Sequence, residues 1–130
     1  MKRQIITANA AQGDGPYSQC MISRGIVYVS GQGPLHPAND EIIGSTIEEQ
    51  ADRTLQNLRS IVLAAGCTME DVVKVNVFLA DMNDFARFNT VYKQYFSAPF
   101  PARTCVEAGL DGILVEIDAI AHVPEEKEVT

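Results

Sequence analysis

The chain has 130 residues, enough for one ordinary domain and too few for two well-buried cores. Hydrophobic residues make up 46% and charged residues 21%, the balance of a folded chain rather than a disordered one. Seventeen acidic against ten basic residues leave a net charge of −7, and the basic residues are scattered, which argues against a nucleic-acid surface and against an anionic-membrane surface.

The longest apolar run covers residues 61–65, far short of the ~18 residues of a membrane helix. The first residues lack the apolar stretch of a secretion signal, so a cytoplasmic protein is expected. Cys20, Cys67 and Cys105 are odd in number, widely spaced and free of a CxxC pattern. That spacing fits neither a disulfide framework nor a zinc site. His36 and His122 stand in unrelated contexts, and no metal is expected.

Residues 2–7 are a candidate edge strand. Residues 18–23 and 26–30 flank Arg24-Gly25, a two-residue hairpin signal. A helix is predicted over 46–65, where Ile47, Ala51, Leu55, Leu58, Val62 and Ala65 recur at three- and four-residue steps. Ser45 with Glu48, or Thr46 with Glu49, has capping-box spacing, and Gly66 is a natural left-handed stop. Residues 72–79 alternate, with Val73, Val75, Val77 and Leu79 opposed by Lys74 and Asn76.

A second helix is predicted over 84–96, with Phe85, Phe88 and Tyr92 on its apolar side and Pro99 and Pro101 barring its continuation. Residues 103–108 and 113–123 lie either side of a short turn at 109–112 and read as another hairpin. In the last strand Val115, Ile117, Ala119 and Ala121 share one face, and Glu116, Asp118 and Ile120 share the other. One domain is expected over 1–123, followed by a frayed acidic tail at 124–130.

The order β-β-β-α-β-α-β-β predicts a two-layer α+β domain, with two amphipathic helices over one face of one sheet. The second face would gather Lys74, Asn76, Phe78, Arg103, Cys105, Glu107, Leu114, Glu116, Asp118 and Ile120. That mixture is too polar for a core and too apolar for plain solvent, so contact with further subunits is expected there, with clefts between them.

Arg103 and Glu116 are the first candidates for chemistry, as neighbours on that second face. A guanidinium fork grips a carboxylate with two hydrogen bonds, and a partly shielded carboxylate orients or deprotonates water. The pair therefore suits a small carboxylic acid attacked by water; the competing reading is a structural ion pair. Cys105 shares the strand but has no histidine to activate it, so it reads as a cleft-lining thiol whose main chain can still hydrogen-bond a substrate. Tyr17 either closes a cleft or packs half-buried. The glycine-rich segments 13–17 and 30–34 precede no helix start, so a nucleotide-phosphate reading fails.

Several stretches carry a resemblance to a known family. They are Gly15-Pro-Tyr-Ser-Gln19 with Val29-Ser-Gly-Gln32, Val75-Asn-Val-Phe78 with Asn83-Asp-Phe85 and Phe88-Asn89, and Pro101-Ala-Arg-Thr-Cys-Val-Glu107 with Val115-Glu-Ile-Asp-Ala-Ile-Ala121. Over residues 2–122 the chain resembles the reactive intermediate deaminase (Rid, YjgF-like) family, whose members include 2-iminobutanoate/2-iminopropanoate deaminases. The resemblance implies a chorismate-mutase-like α+β fold, with a mixed sheet of about six strands covered on one face by two helices. It also implies a homotrimer with inter-subunit clefts, no cofactor, and hydrolysis of 2-aminoacrylate and 2-aminocrotonate to 2-keto acids and ammonia.

By the same resemblance Arg103 binds the substrate carboxylate, Glu116 positions the attacking water, and the backbone of Cys105 contacts the imine nitrogen. Tyr17, Ser30 and Gly31 line the pocket, and Asn89 lies near it. The loop before Pro101 and the turn before Glu116 are shorter than in many relatives, and Gly33 replaces a larger apolar residue. Two other readings compete with the deaminase. One is a non-catalytic carboxylate-binding or chaperone-like protein of the same fold, which would not need Glu116. The other is a ribonuclease, which the −7 charge disfavours.

Overall fold

Arg24 and Gly25 both take positive φ, 53° and 75°, which is the backbone of a tight two-residue hairpin turn. They join β2 (Cys20–Ser23) to β3 (Ile26–Gln32) in the expected register, with Cys20 opposite Val29. The computed structural model describes residues 1–124. Its other strands are β1 (Arg3–Ile5), β4 (Val72–Leu79), β5 (Ala102–Glu107) and β6 (Val115–His122), and its helices are α1 (Ile47–Ala64) and α2 (Phe85–Tyr92). The frayed tail expected at 124–130 lies outside the described residues apart from Pro124.

The sheet has six strands in the order β1-β2-β3-β6-β4-β5. Every pairing is antiparallel except β4 with β5, which run parallel through the α2 crossover. Both helices cover one face, as the element order predicted. No helix among the described residues is long and apolar enough to cross a membrane.

α1 begins with a capping box in which the Thr46 hydroxyl accepts from Glu49 N–H and the Glu49 carboxylate accepts from Thr46 N–H. Gly66, at φ 87°, follows its last turn. Its inward stripe, Ile47, Ala51, Leu55, Leu58, Ile61 and Val62, is fully buried against Val75, Val77, Ile117 and Ala119 of the sheet. α2 is shorter than predicted. After Tyr92 the chain tightens into turns closed by Gln94 N–H to Val91 O and Tyr95 N–H to Tyr92 O, yet Phe96 still packs on Tyr92 with ring centroids 4.6 Å apart.

Three sequence expectations need correction. Residues 103–108 and 113–123 do not form a hairpin: β4 lies between β5 and β6 and hydrogen-bonds to both. The segment after β5 is tied down by Ala108 N–H to Leu79 O, and Ala80 N–H to Leu114 O anchors the start of β6. Crossing one strand needs roughly 10 Å, which the seven residues 108–114 cover easily.

Val73 is not on the core face. The pairings Val72 with Ala121 and Lys74 with Ile120 leave Val73 as the extra residue of a bulge, so Val72 is buried and Val73 is 44% exposed. Finally, Arg103, Cys105 and Glu107 face the helix layer. They pair with Val75, Val77 and Leu79, all of which point into the core. The open face keeps Lys74, Asn76, Glu116, Asp118 and Ile120, laced by Asn76 Nδ2 donating to Asp118 at 2.9 Å and Lys74 Nζ to Thr104 at 3.0 Å.

Buried amides fasten the loops that border this framework. Asn57, fully buried on α1, donates to Gly33 O and Leu35 O and accepts from Arg53. Gln50 donates to Gly44 O and accepts from Leu114 N–H. Gln19 accepts from Thr7 N–H and donates to the carbonyls of Thr7, Ala10 and Ala11.

Replacing Asn57 by leucine keeps the volume and strands these partners. Urea unfolding of Asn57→Leu is expected to lose about 1–3 kcal/mol with an unchanged denaturant slope.

Candidate active site

The candidate residues fall into two groups, one on each side of the sheet. On the helix side, Arg103 projects from β5 toward α2. Its guanidinium carbon lies 4.6 Å from the ring centroid of Tyr92, 5.5 Å from Phe85 and 5.8 Å from Phe88. Among the described residues the ion pairs within 4.0 Å are Arg87–Glu48 and Arg87–Asp84, so no carboxylate neutralises Arg103.

A groove of about 250 Å³ opens beside Arg103, lined by Asn89, Tyr92, Lys93, Phe100 and Pro101 as well. Tyr92 is buried, its hydroxyl has no hydrogen-bond partner among the described residues, and burial pushes its pKa up to about 12. It therefore stays a neutral phenol. Cys105 lies two residues along β5, half-buried. Burial raises its thiol above the ordinary value and outweighs the opposing pull of Arg103, so it is held as a neutral thiol rather than an activated nucleophile.

On the open side, Glu116 projects from β6 next to the bulge of β3, where the pairing skips from Val29 to Gln32 and leaves Ser30 and Gly31 looped out. The Gly31 backbone runs so close that a Cβ placed there would lie 2.8 Å from Glu116 Oε2. Burial first, and the charge of Asp118 second, raise the Glu116 carboxyl above the usual carboxylate range.

Ser30 is pinned by its N–H donating to Gln19 O at 3.0 Å and its Oγ donating to Ser18 O at 2.5 Å. Tyr17 is half exposed and lies over Gly13 and Gly15, where any side chain would collide with its ring. Between Tyr17, Gln19, Gly31 and Gln32 sits a polar cavity of about 30 Å³, the size of a single water. Tyr17 and Ser30 also border a broad surface groove with Lys2 and Tyr28.

Within one chain the two groups do not meet. Arg103 shares a face with Val75, Glu116 shares the opposite face with Phe78, and the width of β4 lies between them. The expected adjacency of Arg103 and Glu116 on one face is therefore corrected, and with it the structural ion-pair reading. The structure brings Arg103, Cys105 and Asn89 together on one side and Tyr17, Ser30, Gly31 and Glu116 on the other.

Sequence reasoning treated Phe85, Phe88 and Tyr92 as a packing stripe and did not connect them with Arg103. Their three- and four-residue spacing was visible, but their neighbour across the fold was not. Among the described residues no three His, Cys, Asp or Glu side chains converge as metal ligands.

Residues 7–123 match the endoribonuclease L-PSP family. A goat (Capra hircus) protein named 2-iminobutanoate/2-iminopropanoate deaminase is 43% identical over 123 residues, 93% of this chain and 90% of its own. Among solved structures, a Yersinia pestis protein of the Rid family superposes with a TM-score of 0.89 at 40% identity, covering 95% of this chain and all of its own. E. coli TdcF with bound serine superposes with a TM-score of 0.87 at 39% identity, covering 92% of this chain and 98% of its own.

The raised carboxyl of Glu116 has a consequence for stability. A group whose pKa is higher folded than unfolded binds its proton more tightly in the folded chain. Its ionisation therefore removes stability as pH rises from the ordinary carboxylate range up through the raised value. Glu116→Gln is expected to match wild type in acid and to show the higher urea midpoint at neutral pH, read as the difference between the two midpoints across the pH range.

Proposed function

The chain belongs to the endoribonuclease L-PSP family, and on that premise we propose that it hydrolyses reactive enamine and imine acids, such as 2-aminoacrylate and 2-aminocrotonate, to 2-keto acids and ammonia. The observation that carries this reading is Arg103. It is a guanidinium with no carboxylate partner among the described residues, at the mouth of a groove suited to a small acid. The goat relative's name supplies the reaction, and the serine in E. coli TdcF shows that a related fold holds a small amino acid.

The complete site needs a second copy of the chain. The β5–α2 side of one subunit, with Arg103, Asn89 and Cys105, faces the open side of the next, with Tyr17, Ser30, Gly31 and Glu116. A homotrimer closes three such clefts and covers the exposed Tyr28 and the half-buried Ile120 of the open face.

The chemistry follows from those positions. The enamine tautomerises to the imine, which Arg103 holds by its carboxylate. The Cys105 main chain hydrogen-bonds at the imine nitrogen. Glu116 accepts a proton from water as the water oxygen bonds to the imine carbon, and the C=N electron pair moves to nitrogen, which takes up a proton. The resulting carbinolamine then loses ammonia: its hydroxyl proton leaves, the C–N bond breaks onto a protonated nitrogen, and the C=O bond forms. The raised pKa of Glu116 makes it a better base than an ordinary carboxylate. Fixing water and imine together is worth up to ~7–11 kcal/mol in ideal cases, and because the imine already hydrolyses in water a fraction of this suffices.

Ammonia release from imine generated in situ is the test. Arg103→Ala is expected chiefly to raise KM, and Glu116→Gln to lower kcat by about 10²–10⁴. When these two impaired variants are unfolded and refolded together in equal amounts and assayed at substrate well below the KM of Arg103→Ala, about a quarter of the clefts receive an intact half from each chain, so about a quarter of wild-type activity should return. A site contained in one chain gives no recovery.

Gly31→Ala should fold with a near-native urea midpoint, because the three nearest atoms its Cβ would meet all belong to the flexible side chain of Glu116. Displacing that carboxyl is expected to cost about tenfold or more in kcat while KM changes little.

A further inference from the structure

We propose that Phe85 is a positioning residue for Arg103: with Phe88 and Tyr92 it forms an aromatic cradle that orients the guanidinium without neutralising it. The proposal rests on the reading of Arg103 as the carboxylate binder. A buried or half-buried arginine is ordinarily held by a carboxylate, which fixes its direction but consumes its charge. Here the ion pairs within 4.0 Å among the described residues leave Arg103 out, and three ring faces from one helix take the place of an acid. A planar, weakly hydrated guanidinium stacks well on rings, and its edge N–H groups stay free for a substrate.

The three rings sit at positions i, i+3 and i+7 of α2, one face of the helix. Two of them have another occupation. Phe88 is fully buried in the core, and Tyr92 packs between Phe88 and Phe96. Phe85 differs. It is the first residue of α2, it is 38% exposed, and it is absent from the core cluster. A large ring left in that position, 5.5 Å from the guanidinium, is explained by Arg103 and by nothing in the core. Its exposure also means that it can be replaced without opening a cavity.

The test pairs Phe85→Leu, which keeps apolar bulk but removes the ring, with Phe85→Tyr, which keeps the ring face. Affinity for 2-oxobutanoate, a small 2-keto acid, is measured by titration calorimetry on the full chain, beside kcat and KM for ammonia release. Phe85→Leu is expected to weaken 2-oxobutanoate binding and raise KM together by about two- to fivefold, with kcat held. Phe85→Tyr is expected to bind as wild type. In an Arg103→Lys background, where no guanidinium plane is present to stack, Phe85→Leu should cause no further loss.

Wild-type affinity in Phe85→Leu overturns the proposal, as does an equal loss in Phe85→Tyr or an undiminished loss in the Arg103→Lys background. A wild-type chain that binds 2-oxobutanoate but releases no ammonia refutes the deaminase reading alone, and the binding series still decides the cradle. A wild-type chain that neither binds 2-oxobutanoate nor releases ammonia overturns both, and in one that releases ammonia without binding it the KM series decides the cradle.

Discussion

The structure turns on the position of β4. It lies between the two strands that carry the candidate chemistry, parallel to β5 and antiparallel to β6. Because side chains alternate across a strand, the register of each pairing decides the face on which its residues emerge. Arg103 in step with Val75 is sent to the helix side, and Glu116 in step with Phe78 is sent to the open side. No rotamer of either residue crosses the sheet. A chain that uses both groups on one substrate must therefore use a second copy of itself, and this constraint shapes the proposed function more than any single contact.

Each half-site is held by a device that leaves its reactive group available. On the helix side, ring faces take the role that an acid would play beside Arg103. On the open side, the β3 bulge brings the Gly31 backbone against Glu116, and only a residue without Cβ permits that approach. Behind these sit the buried amides. Gln19 ties down the segment that leads to Tyr17, and its carbonyl accepts from Ser30 N–H, so one residue fixes two members of the open half-site. Asn57 and Gln50 do the same for the loops at Gly33 and Leu114. Such amides rigidify because each is satisfied; leaving any of them half-paired would cost more than it stabilises.

What the sequence made legible was what depends on neighbours in the chain. The α1 stripe, the Arg24-Gly25 turn and the alternation of β6 are local patterns that the structure places as read, and the capping box forms in the second of its two possible registers, Thr46 with Glu49. What it concealed was non-local. Alternation tells which residues of β5 share a face but not which face: Ala102, Thr104 and Val106 look the more apolar set, yet they are exposed and Arg103, Cys105 and Glu107 are in step with the core-facing residues of β4. An edge strand half covered by a short helix has no decisive apolar side. Bulges at Val73 and at Ser30–Gly31 each shift the period by one residue, which a strict two-residue rule cannot register. The candidate site residues came mainly from resemblance, since nothing in the spacing of residues 103 and 116 reveals a strand inserted between them.

An isolated subunit carries unresolved polar cost at the candidate site. Glu116 ionises against burial and against Asp118, and among the described residues Arg103 has no counter-charge and the buried Tyr92 hydroxyl has no partner. Each of these is a small loss for the folded chain alone. In the proposed function two of them are relieved from outside: a substrate carboxylate answers Arg103, and a bound water answers Glu116. The proposed assembly brings the two sides into one cleft, so relief of both losses coincides with formation of the reacting geometry. Under the proposed function, stability withheld from the lone subunit would be recovered on substrate binding, which is where a catalyst makes use of it.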